Sequence, residues 1–92
     1  SGGDEVKRVR PADGDKSHYP YAKVMRIEGM HCQNCAKRIE NAFHSQEGFY
    51  AKVDLAKGTA LVRSKREVSD QELKEIVRKL GYSPASVEPF RE

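Results

Sequence analysis

Apolar and polar residues alternate first over residues 22–29 (AKVMRIEG), where Met25 and Ile27 are separated by Arg26 and followed by Glu28. That is the period of a half-buried strand. From residue 36 the period lengthens: Ala36, Ile39, Ala42 and Phe43 fall at i, i+3, i+6 and i+7, a single helical stripe. Gln46-Glu47-Gly48 ends this helix, with a glycine available for a left-handed cap. Alternation returns in YAKVDL (50–55), with Ala51, Val53 and Leu55 on one face, and in TALVRS (59–64), with Ala60 and Val62 inward. Ala56-Lys57-Gly58 between them reads as a hairpin turn. Ser69-Asp70-Gln71-Glu72 has the form of a capping box for a second helix, whose stripe is Leu73, Ile76, Val77 and Leu80. Gly81 closes it, and YSPASVE (82–88) is a short last strand that Pro84 confines to an edge or a bulge.

The predicted order is strand, helix, strand, strand, helix, strand. With right-handed crossovers this is an α+β, ferredoxin-like βαββαβ sandwich: a four-stranded antiparallel sheet with both helices on one face. That fold hosts many functions and decides none. The chain's 92 residues suffice for one domain. Residues 1–20 read as a disordered charged tail and residues 21–92 as the folded domain. In the tail Asp4, Glu5, Asp13 and Asp15 balance Lys7, Arg8, Arg10 and Lys16, and the few aliphatic residues offer little to bury. Ser1-Gly2-Gly3 has the composition of a cloning remnant.

Charge narrows the function classes only slightly. A net charge of +3, from 17 Lys and Arg against 14 Asp and Glu, is far from the dense basic stripe of a nucleic-acid binder. No run is apolar for long enough to enter a bilayer directly, and the first residues lack the apolar core of a signal peptide, so the expected location is cytoplasmic.

The chemistry is concentrated in Gly29-Met30-His31-Cys32-Gln33-Asn34-Cys35, which contains both cysteines of the chain. Two thiols at this spacing suit a redox disulfide, half of a zinc site or a clip for a soft ion. A structural zinc site wants four ligands. His18 lies in the tail, His44 about two helical turns beyond the pair, and His31 adjoins Cys32, where strand and loop geometry turns neighbouring side chains apart. Two unassisted thiolates match a linear ion such as Cu(I), or Hg(II) in the same geometry. A thioredoxin-like role would also place its cysteines at a strand-to-helix junction, but the chain lacks the additional strand and helix of that fold. Gly29 lets the backbone turn away from the strand, and Met30, the one apolar residue before Cys35, reads as a packing anchor for the loop. Lys37, Arg38, Lys74, Arg78 and Lys79 read as solvated helix faces first and as a docking surface second.

With that motif set in this order of elements, residues 22–88 resemble the heavy-metal-associated domain family of copper chaperones and of N-terminal domains in metal-transporting P-type ATPases. The resemblance implies Cys32 and Cys35 as metal ligands and Met30 as the methionine tucked under the loop. Tyr82 falls at the aromatic position near the site in bacterial members, where eukaryotic chaperones usually carry lysine, which implies a bacterial origin. Members specialised for zinc or cadmium often have an acid where His31 stands, so His31 resembles the copper side of the family. The implied cargo is Cu(I), with Zn(II), Cd(II) or Hg(II) as alternatives. The implied partner is a second heavy-metal-associated domain or a transport ATPase, with a monomer when apo and a metal-bridged dimer as a further form. No catalytic constellation is evident, so the domain itself is not read as an enzyme, although the charged tail and residues 88–92 would suit a segment of a transport ATPase. A metal-free protein-interaction domain of the same fold is the alternative from another class.

Overall fold

The computed structural model describes residues 5–91. Its elements are β1 (Tyr21–Glu28), α1 (Gln33–His44), β2 (Phe49–Asp54), β3 (Thr59–Ser64), α2 (Asp70–Lys79) and β4 (Ser83–Pro89), preceded by one 3-10 turn at Lys16–His18. The sheet runs β2-β3-β1-β4 with every neighbouring pair antiparallel, the ferredoxin-like arrangement expected. Each amphipathic element contributes its apolar side to one core: Met25 and Ile27 from β1, Ile39 and Phe43 from α1, Ala51, Ala60 and Val62 from the β2–β3 hairpin, Leu73 and Val77 from α2. Phe43 also meets Phe49 edge to face, with centroids 5.6 Å apart. Pro84 pairs with Ile27 in the edge strand β4, next to a register shift in the β1–β4 ladder, so both readings of that proline apply.

Three details differ from the pattern. Leu80 is 37% exposed, because α2 stops at Lys79 and Leu80 is its C-cap. The capping box is half made: the Ser69 hydroxyl accepts the Glu72 N–H, while the Glu72 carboxylate pairs with Arg66 at 2.5 Å. α1 is capped at Ser45, and Gly48, with φ of +89°, turns the chain into β2 rather than closing the helix.

The largest difference is the expected disordered tail, whose residues 1–4 lie outside the described ones. Residues 5–20 instead lie against α1 and the β2–β3 hairpin. Tyr19 is buried, its hydroxyl donating to the Asp13 carbonyl at 2.5 Å and its ring meeting Tyr50 edge to face. Asp13 in turn accepts from Lys65 Nζ at 2.6 Å, which holds its carboxyl well below the usual range. The ordering entropy is offset by hydrogen bonds and one buried aromatic ring rather than by an apolar stripe.

β2 is an edge strand whose outward N–H groups would face solvent. α1 covers them. The Ala51 N–H donates to His44 Nε2 at 3.0 Å and the Val53 N–H to Glu40 Oε2 at 2.8 Å. Since a backbone amide can only donate, Nε2 of His44 is the acceptor; its proton sits on Nδ1, which donates to the Val9 carbonyl at 2.9 Å.

Candidate metal centre

The site forms where β1 gives way to α1. Gly29 takes a φ of +92°, a left-handed conformation that turns the chain sharply after Glu28. A Cβ there would stand 3.8 Å from Cδ1 of Tyr82, so the ring lies directly over this glycine. Met30 is partly buried and packs against the core, and His31 is exposed. Cys32 is the N-cap of α1, extended at φ −146° and ψ 168°, and its carbonyl accepts the Ala36 N–H at 3.2 Å. Its side chain makes no capping hydrogen bond. Cys35 lies one turn on, and the two Sγ atoms are 3.4 Å apart.

Tyr82 reaches the site because of how α2 ends. The Gly81 N–H bonds to the Arg78 carbonyl at 2.9 Å and the Tyr82 N–H to the Val77 carbonyl at 3.3 Å, a Schellman closure with Gly81 at φ +96°. This turns Tyr82 back across the first loop. Its hydroxyl hydrogen-bonds the Cys35 thiol, and that bond, followed by the His31 backbone amide and the Cys32 thiol, pulls the Cys35 pKa down to about 7. Burial, followed by the Cys35 hydrogen bond, pushes the Tyr82 hydroxyl up.

Arg38 completes the group. Its guanidinium hydrogen-bonds Tyr82, which together with the nearby thiols pushes its own pKa up. Sequence reasoning placed Arg38 on a solvated face and missed this role. The available signal was its spacing: three residues after Cys35 on one helix, it shares that side of α1. The other histidines are engaged elsewhere, His18 with Asp13 and Asp15, His44 with Val9 and Ala51. Among the described residues no cluster of three or more His, Cys, Asp or Glu forms that could hold a metal ion.

Residues 24–83 match the family model of the heavy-metal-associated domain. The chain belongs to this family. This heavy-metal-associated domain is 47% identical over 58 residues to the copper-exporting P-type ATPase of Bacillus subtilis, covering 61% of the chain and 7% of that protein. It superimposes with a TM-score of 0.63 on the N-terminal domain of a potential copper-translocating P-type ATPase from Bacillus subtilis in the Cu(I)-loaded state, at 37% identity over 75% of this chain and 85% of that one. The CopZ metallochaperone superimposes equally well, with a TM-score of 0.63 and 26% identity, covering 70% of this chain and 98% of that one. The chain spans less than a tenth of the length of the curated relatives it matches. It is thus a heavy-metal-associated domain related to copper chaperones and to the N-terminal domains of copper ATPases. Among the described residues no helix is long and apolar enough to cross a membrane.

Proposed function

We propose that this domain binds Cu(I) through Cys32 and Cys35 and passes it to a partner thiol, as a cytoplasmic copper chaperone or as the N-terminal domain of a copper-transporting ATPase. The observation that carries the reading is the thiol pair without a third protein ligand among the described residues. Soft sulfur favours Cu(I), which accepts two ligands, whereas Zn(II) asks for four. Two metal–sulfur bonds of about 2.3 Å, the length thiolates make with zinc, would set sulfurs about 4.6 Å apart in a linear bridge. The two sulfurs lie 3.4 Å apart, so a linear bridge requires them to part, and rotation of the exposed Cys32 side chain would supply that movement. Cys35, more ionised than an ordinary thiol, makes the first bond.

Transfer follows from low coordination. A partner thiolate would add to the two-coordinate ion and the Cys32 bond would break from the three-coordinate intermediate; a second partner thiolate would then add as the Cys35 bond breaks, leaving the ion two-coordinate on the partner and both domain cysteines free. The 37% identity to the N-terminal ATPase domain from Bacillus subtilis described in the Cu(I)-loaded state supports this reading. A competition titration of the reduced domain with Cu(I), Zn(II), Cd(II) and Hg(II) tests it. One tightly held Cu(I) per domain that is not displaced by Zn(II) is the expected result. Preference for Zn(II) or Cd(II) would replace the copper assignment, and no binding of any of these ions would favour a metal-free interaction domain.

A further inference from the structure

The outward face of α1 reads a stretch of extended backbone. Asn34 Oδ1 accepts the Val6 N–H at 3.3 Å; Asn41 accepts the Val9 N–H at 2.7 Å and donates to the Lys7 carbonyl at 2.6 Å. Two ion pairs flank this ladder: Glu5 with Lys37 at 3.3 Å and Arg8 with Glu40 at 3.1 Å. The segment therefore runs parallel to α1, from beside the cysteine loop toward the helix end. Asn34 itself stands between Cys32 and Cys35.

The segment is held weakly. Val9 is 41% exposed, and the Glu5 and Arg8 side chains are 78% and 63% exposed. Exposed ion pairs of this kind contribute little, and neutral hydrogen bonds are nearly matched by water. The far end is anchored by the buried Tyr19, so residues 5–9 can leave α1 and remain tethered to it.

We propose that residues 5–9 are a detachable clasp occupying a peptide-docking face of α1 in cis. The face takes an extended segment of a partner protein with an acid opposite Lys37 and a base three residues later opposite Glu40. The partner's backbone replaces that of residues 6–9 on Asn34 and Asn41, beside the cysteine pair. Binding to such a partner is then reduced by the fraction of molecules in which the clasp is closed.

The test uses the full reduced chain and the acetylated, amidated peptide EVKRV, the sequence of residues 5–9, as the probe. A Glu5→Lys/Val9→Pro variant removes one ion pair and the N–H given to Asn41 while leaving every α1 side chain in place. NMR titration should show the peptide binding this variant about tenfold more tightly than the parent, the gain expected if the clasp is closed in about nine molecules of ten. The shifted amides should lie on α1 around Asn34, Lys37 and Asn41. The single Glu5→Lys change, which alters one exposed side chain, should move the affinity in the same direction by less. Equal affinities in parent and variants, no binding to the opened variants, or shifts away from α1 would overturn the proposal. No metal enters the measurement, so a domain that failed to bind Cu(I) would leave its outcome unchanged.

Discussion

The two helices begin in opposite ways. α2 starts with Ser69 capping the Glu72 N–H and carries Asp70 and Glu72 in its first turn; Asp70 is also paired with Lys23 at 2.7 Å. Its free amides and positive dipole end are thus satisfied by oxygen. α1 starts with Cys32, has no side-chain cap and has no acid in its first turn. The same amides and the same dipole are left for two sulfurs. α2 is optimised for stability, whereas α1 leaves its first turn open for thiolate.

The sharpest way to break this comparison is at the two cysteines. Cys35→Ser should lower Cu(I) affinity by more than about a hundredfold, beyond the loss typical of removing a supporting residue around a metal. The folded core should survive, and a circular dichroism spectrum of an unfolded variant would make the pair structural. Cys32→Ser should lose Cu(I) similarly yet raise the apo thermal midpoint, because serine supplies the missing cap, worth about 0.5–1 kcal/mol. Ser69→Ala is its mirror image: it should cost about 1 kcal/mol, or about 4–8 °C in a domain this size, with Cu(I) affinity unchanged.

Acidity gives a subtler contrast. Cys35 is lowered from 9.0 to about 7 in the fold, so over that interval the unfolded chain binds a proton the native domain does not. Apo, reduced protein should therefore gain stability as pH rises from about 7 to 9 and lose it again on return to pH 7. Alkylation rates should report a Cys35 midpoint near 7 that moves upward in Tyr82→Phe, where the largest contribution to the shift is gone. The last contrast concerns Met30, whose replacement should leave metal binding little changed. Being only half-buried, it should cost about 1–2 kcal/mol on truncation to alanine, below the range for full burial. Met30→Leu should bind Cu(I) nearly as the parent does; severe loss in a folded leucine variant would make the thioether a ligand.

Most of the fold was legible because its core residues recur at strand and helix periods, as Met25 and Ile27 do on β1 and Leu73 and Val77 on α2. The turn out of β1 and the end of α2 were readable from glycines that only special backbone geometry explains, Gly29 and Gly81, whereas the place of Tyr82 beside the loop came from the family resemblance alone. Residues 5–20 were not legible, because their contacts are backbone atoms meeting Asn34, Asn41 and His44, scattered ion pairs and the single ring of Tyr19, and none of these leaves a periodic trace. The local signal was Asp15, whose carboxylate accepts the Ser17 N–H at 2.9 Å and starts the turn that delivers Tyr19. Arg38 escaped notice for a related reason: a guanidinium aimed at a phenol from the other end of the chain looks, in sequence, like any other surface charge.

The capped edge of β2 has a consequence for how such domains meet. In the proposed transfer role, the domain must meet another small sheet protein repeatedly and separate each time. An open strand edge would invite sheet-to-sheet zippering, the route by which crowded β proteins become insoluble. Here Glu40 and His44 occupy the amides of Val53 and Ala51, and on the opposite edge Pro84 and Pro89 have no amide hydrogen to offer. Both flanks thereby offer little to strand pairing, which in the proposed transfer role leaves brief contact to the end that carries the thiols.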